Sequence, residues 1–263
     1  MMNSNISDRV SALLDRVEEA TASAGRPEGS VDVLAAVKTQ NDADIAQVIR
    51  VMSALRPERI VNLGHNRVNE LVAGGPALCA SDLPAHRMHL IGPLQRNKVS
   101  KMLRWASALD SLDSLRLAHK VNDGIERANT ESLTDDTAQV LMIGAHTKLD
   151  VLIQVNVSGE ETKSGFLPSA TLDAACEIAA LPHLRLRGLM TVGLNSNDEL
   201  AVRTGYAQLR ELVTEIRQTS HEGTEQCTEL SMGMTHDVEW AIAEGSTQVR
   251  VGQALFGPRP ATV

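Results

Sequence analysis

Eight short apolar runs, most of them separated from the next by a helical pattern, constrain this chain more than any other feature of it. The runs fall at 31–38, 59–64, 87–91, 106–111, 151–157, 185–192, 228–232 and 248–251. Several are near-continuous in Val, Leu, Ile and Ala, as parallel strands covered on both faces require. Helical patterns lie between most of them, including 42–55, 97–105, 114–127, 167–180 and 199–219. A further amphipathic helix at 6–24 carries Val10, Leu13, Leu14 and Val17 on one face. Alternating β and α units with no break in composition predict a closed (β/α)8 TIM barrel preceded by an N-terminal helix, one domain over 1–263. The 263 residues suit that fold, which takes about 250. An open doubly wound sheet is the runner-up, but no G-x-G-x-x-G follows the first run. The polar segment 129–148 reads as a surface excursion before the fifth strand.

Composition narrows the function classes. The chain is 43% apolar with only two Trp, one Tyr and two Phe, so the core must be aliphatic. A net charge of -8 argues against broad nucleic-acid binding while leaving room for a local basic patch. Cys79, Cys176 and Cys227 are odd in number and contain no C-x-x-C, which suits a reducing cytoplasm. With no signal pattern and no apolar run near 18 residues, neither export nor a membrane partner is expected.

Barrel sites sit at the C-terminal ends of the strands. The first strand ends in Lys38-Thr39, where an amine at an apolar mouth can attack an aldehyde; a lysine that snorkels to solvent is the plain alternative. The second ends in Leu63-Gly64-His65-Asn66, where Asn66 offers a donor and an acceptor or simply a helix cap. His86 and His89 are three apart on one strand, face opposite sides, and make a poor metal pair; a structural role is expected, with no metal site. Lys98, Lys101 and Arg104 recur at three-residue spacing as a basic helix face. The Gly- and Ser-containing stretch 156–165 can form a loop over the mouth, with Lys163 read as a loop charge. The last two strands carry Ser231 and Gly233, then Gly252-Gln253, around a helix predicted over 235–244 with Asp237 and Glu239 in its first turn. The loops after strands seven and eight are the usual phosphate site of this fold. Arg250 lies in an apolar run, where it can face a ligand ring nitrogen or pair with a carboxylate.

These pieces occur together in a known family. Leu34-Ala35-Ala36-Val37-Lys38-Thr39, Leu63-Gly64-His65-Asn66-Arg67-Val68-Asn69-Glu70 and His89-Leu90-Ile91-Gly92-Pro93-Leu94-Gln95-Arg96-Asn97-Lys98 come first. Then follow Val151 to Glu160, Lys163-Ser164-Gly165, Leu186-Arg187-Gly188-Leu189-Met190-Thr191 and Leu230 to Gly257. In this order the chain resembles the pyridoxal phosphate homeostasis proteins, which look like the barrel domain of alanine racemase, a fold type III pyridoxal-phosphate protein. The resemblance implies that Lys38 carries pyridoxal 5'-phosphate as a Schiff base. It implies phosphate contacts from Ser231 and the Gly252-Gln253 turn, Arg250 near the pyridine nitrogen, and Asn66 and Met190 lining the pocket. It further implies cofactor buffering and delivery, no catalytic residue, pyridoxal-phosphate-dependent apo-enzymes as partners, and a monomer. Two positions depart from the family: His65 stands where it usually has Glu, and Gln253 where it usually has Thr.

The competing reading is an amino-acid racemase, which needs a base on each face of the substrate α-carbon. The chain ends at Val263, so no second domain is expected to supply one, and the only tyrosine, Tyr206, lies in a helical segment. A positive Arg250 beside the pyridine nitrogen also disfavours most carbanion chemistry on this cofactor. A third reading, an aldolase-type lysine acting on a sugar phosphate, lacks an identifiable acid or base.

Overall fold

The computed structural model describes residues 6–79, 82–132, 148–160, 162–194 and 196–257. Its eight strands are β1 (Asp32–Ala36), β2 (Val61–His65), β3 (His86–Leu90), β4 (Ala108–Leu112), β5 (Leu149–Gln154), β6 (Leu184–Met190), β7 (Glu229–Ser231) and β8 (Gln248–Val251). They form a closed parallel barrel in chain order, shut by β1 against β8 with Leu34 beside Arg250 and Ala35 beside Val251. Between and around them lie α1 (Ile6–Ser23), α2 (Asp42–Leu55), α3 (Val68–Cys79), α4 (Val99–Leu103), α5 (Leu115–Ser132), α6 (Pro168–Ala179), α7 (Glu199–Gln218), α8 (Val238–Ala243) and α9 (Gln253–Phe256). The predicted TIM barrel with its N-terminal helix is therefore the observed fold. Most of the excursion expected at 129–148, namely 133–147, lies outside the described residues, as do Glu161 of the 156–165 loop and Arg259.

Side-chain alternation along the strands divides the interior in two. Val33, Ala35, Leu63, Met88, Leu90, Leu109, Val151, Ile153, Leu189, Leu230, Val249 and Val251 point outward and join one hydrophobic cluster with the helices. Four buried apolar residues stand outside that cluster, Leu34, Ala108, Leu152 and Met190, and their register places them in the barrel lumen. The rest of the buried lumen is polar: His89, Asp110, Ser231, Gln248 and Arg250. A barrel lumen usually fills with branched aliphatics. Here the stability resides in the layer between strands and helices, and the lumen is left free for polar work.

Three expected elements differ. The α3 helix escaped sequence reading because it contains Gly74, Gly75 and Pro76; the glycines are retained for packing, since a Cβ on Gly75 would strike the Trp105 ring. The helix expected over 97–105 is split into a 3-10 turn, Arg96–Lys98, and α4, with Lys98 and Arg104 as the flanking caps of α4 and Lys101 within it. The helix expected over 235–244 begins at Val238, because Asp237 turns its carboxylate back to accept from the Met234 N–H at 2.6 Å. Glu239 does lie in the first turn, where it pairs with Arg16 of α1 at 2.6 Å. Among the described residues, no helix is long and apolar enough to cross a membrane.

Candidate functional site

The C-terminal mouth of the barrel gathers the residues singled out above, in two halves joined at the β1–β8 seam. Lys38 follows β1 and is half-buried. The next residue, Thr39, has φ 65, a left-handed conformation that a β-branched side chain adopts only under constraint. Its hydroxyl donates to the Lys38 carbonyl at 2.6 Å. Strain of this kind collects at functional positions, and here it turns the chain sharply at the lysine. Asn66 lines the same cavity as Lys38. It is no free loop residue: a Cβ on Gly92 would run into the Asn66 carbonyl, so the loop after β3 packs directly on its backbone.

The other half centres on Arg250, which is 7% exposed. One of its amino groups donates to the Ser231 carbonyl at 2.6 Å and the Ser231 hydroxyl at 2.9 Å, and the other donates to the Thr191 carbonyl at 2.7 Å. Met190, the residue before Thr191, is buried and faces Ser231 in register. Among the described residues Arg250 has no carboxylate within salt-bridge distance, so the alternative of a direct ion pair falls. Burial lowers its guanidinium from the ordinary value, while Tyr206, Asp110 and Asp237 act against that from farther away. The Ser231 hydroxyl accepts from Arg250 and from the Gln248 amide at 3.1 Å, which leaves its own proton to donate. At the seam, a Cβ on Gly252 would stand 2.9 Å from the Ala36 carbonyl, two residues before Lys38. Gln253 is exposed and opens α9, whose first backbone N–H groups face away from the helix.

Below this pair lies a chain that sequence reading missed. Gln248 donates to Asp110 at 3.1 Å, and Asp110 holds the His89 ring through Nδ1 at 2.9 Å. Burial opposes charge on His89, but the Asp110 carboxylate outweighs it and holds the imidazole above the ordinary histidine range. Asp110 and Gln248 carried a signal, each being a polar residue at the inward phase of an apolar run. His86 separately donates its Nδ1–H to the Pro84 carbonyl at 2.9 Å, so the two histidines share no ligand position.

His65 is placed away from the mouth. It shares the outward phase of β2 with Val61 and Leu63, is 2% exposed, and its Nε2 has no partner. Burial, with the charge on His89, lowers it to about 4. His65 is therefore neutral at physiological pH and shares the outward face of β2 with Val61 and Leu63. Tyr206 is fully buried, and its hydroxyl donates to Asp237 at 2.6 Å. Burial and that bond raise it well above the ordinary phenol range, which removes it as a base. The loop after β5 is tied down. Asn156 donates to the carbonyls of Glu160 at 2.8 Å and Lys163 at 3.1 Å, and Lys163 pairs with Glu160 at 2.6 Å.

The chain is similar to known proteins in sequence and fold. The model of the alanine racemase N-terminal domain family matches residues 9–260. The pyridoxal phosphate homeostasis protein of Pasteurella multocida is 32% identical over 254 residues, covering 97% of each chain. An unknown protein from Bifidobacterium adolescentis is similar in structure, with a TM-score of 0.80 and 38% identity over 95% of this chain and 94% of that one. PipY of Synechococcus elongatus, solved with pyridoxal phosphate bound, has a TM-score of 0.70 and 27% identity over 92% of this chain and 100% of its own.

Proposed function

The chain belongs to the pyridoxal phosphate homeostasis proteins of the alanine racemase N-terminal domain family, and from that premise we propose that it binds pyridoxal 5'-phosphate on Lys38 and buffers and delivers it, without catalytic turnover. The observation that carries this reading is the convergence at one barrel mouth of an amine, Lys38, with the Ser231–Arg250 pair across the Gly252 seam.

The donor set fits a phosphorylated aldehyde. A Cβ at Gly252 would fill the cradle beside Ala36, so glycine keeps the space that a phosphate and its N–H partners need. When bound, the cofactor supplies an electrophilic aldehyde carbon. The Lys38 Nζ would hold the cofactor at that carbon through its amine. The Ser231 hydroxyl would donate its remaining proton toward the phosphate, and the Gln253 backbone N–H would add a second contact. Gln253 lacks the hydroxyl usual in the family, so its amide stands in for it. Arg250, held by two carbonyls, would present a fixed positive charge and no proton acceptor to the ring nitrogen. Asn66 lines the Lys38 cavity, and Met190 lies beside Ser231 in register.

The racemase reading draws on the family model that includes alanine racemase, but the only tyrosine is committed to Asp237. No group in the described mouth is placed as a second base opposite Lys38. Delivery is tested by mixing holo-protein with an apo-aminotransferase beside a phosphatase that destroys free cofactor. Transfer faster than from an equal amount of free cofactor is expected, and equal rates would remove delivery from the account. Incubation with L-amino acids should yield no D-enantiomer above the level produced by free cofactor.

A further inference from the structure

We propose that Arg67 and Lys98 form a second oxyanion site at the barrel mouth, which takes the phosphate of a phosphorylated aldehyde arriving at or leaving Lys38. The inference rests on the Lys38 reading above and adds a binding site to it. The three cations line one cavity of about 370 Å³, a size that suits a small ligand, together with the amide side chains of Asn66, Asn69 and Gln95. Among the described residues, no carboxylate lines it.

The charge lining this cavity is of one sign. The chain has 33 acidic and 25 basic residues, so carboxylate partners are plentiful. Arg16, Arg56, Arg59, Arg185, Arg187, Arg203 and Arg210 each pair with one. At the opposite, N-terminal mouth, Asp32, Asp150 and Glu229 line another cavity, and each carries its own arginine. Lys38, Arg67 and Lys98 have no such partner among the described residues, although they face one space. Like charges gathered in a concave site repel one another and raise the local concentration of anions.

The fold holds these groups together on purpose-built loops. Arg67 follows β2 next to Asn66, against which the Gly92 turn packs. Lys98 closes the 3-10 turn Arg96–Lys98, fixed by its N–H to the Gln95 carbonyl at 2.8 Å. This group lies on the β2–β3 side of Lys38, whereas Ser231 and Arg250 lie on the β7–β8 side and are already bonded to each other. A phosphate-bearing aldehyde therefore meets an anion anchor on either flank of the amine. The inner one suits retention, and the outer, solvent-facing one suits capture and release.

The test uses Arg67→Gln, Lys98→Gln and the double variant, whose side chains are exposed or half-exposed. Stopped-flow absorbance follows association of pyridoxal phosphate with apo-protein at low and high salt. Titration calorimetry follows inorganic phosphate binding to the same proteins. The double variant should still trap the cofactor on Lys38 with borohydride, associate about tenfold more slowly at low salt, lose most of the salt dependence, and lose one phosphate-binding event. Unchanged association and unchanged phosphate binding would overturn the site while leaving the Lys38 reading intact. Unchanged association with slower transfer to an apo-enzyme would assign the cations to a partner's acidic surface and also overturn it. If wild-type protein trapped nothing on Lys38, the cofactor reading would fail, and the phosphate titration alone would decide whether Arg67 and Lys98 bind an oxyanion.

Discussion

Arg250 and Ser231 are joined twice by a single guanidinium amino group, which donates to the serine carbonyl at 2.6 Å and to its hydroxyl at 2.9 Å. The pair fixes the end of β7 to β8, and the bond from the other amino group to Thr191 fixes β6 to both. Replacing Arg250 by Leu would strand the Thr191 carbonyl in a buried site and leave the Ser231 carbonyl only the Thr191 N–H at 3.2 Å. Stability should fall by roughly 1–3 kcal/mol, the cost of a buried unsatisfied acceptor. Urea denaturation measures this, and a loss under 0.5 kcal/mol, on the order of an ordinary surface change, would mean that the pair is not holding the strands.

Acid should destabilise the fold through His65. Its folded value of about 4 lies below the ordinary 6.5, so between those values the unfolded chain binds a proton that the folded chain does not. Stability therefore rises with pH from 4 to 6.5 and is lost as pH falls through that window, by roughly 3 kcal/mol at 1.36 kcal/mol per unit. His65→Gln should flatten this limb in denaturation curves taken at pH 4 to 7. An unchanged slope would place the acid sensitivity elsewhere.

Glycine at position 92 is required by the backbone of Asn66. Gly92→Ala drives a methyl group into the Asn66 carbonyl, which can yield only by moving the loops that carry Asn66 and Gln95. A cost of about 1–3 kcal/mol is expected, together with reduced cofactor occupancy measured by absorbance after desalting. Gly252→Ala meets the Ala36 carbonyl at the less severe distance of 2.9 Å and should lower occupancy with a smaller change in stability.

Tyr206→Phe separates a structural role from a catalytic one. The phenol bond to Asp237 links α7 to the turn before α8, and its loss should cost about 1–2 kcal/mol in thermal unfolding. Trapping of the cofactor on Lys38 should persist at the wild-type level. A variant that kept its stability but lost D-amino-acid formation present in wild type would make Tyr206 a base after all.

Much of this was legible in the sequence because several of the strand runs are near-continuous in apolar residues and end in small or polar ones. The barrel and the strand-end positions of Lys38, Ser231, Arg250 and Gly252 followed from that pattern. The polar lumen did not, because Asp110, His89 and Gln248 lie on separate strands and only the closed register brings them together. The facing of His65 turned on strand phase: adjacent to Asn66 in sequence, it lies on the opposite side of β2 from the lumen. The split between the Arg96–Lys98 turn and α4 was equally hidden, since local propensity does not reveal where a turn tightens. Charge pairing was invisible for the same reason, and only the folded loops show that Arg67 and Lys98 face Lys38 without a carboxylate.

The central claim is that Lys38 holds the cofactor covalently. Borohydride reduction of protein loaded with pyridoxal phosphate, followed by peptide mass mapping, tests it most directly. The account predicts a pyridoxyl adduct on the peptide containing Lys38 and its absence in Lys38→Ala. No adduct, or one confined to another lysine such as Lys163, would contradict it.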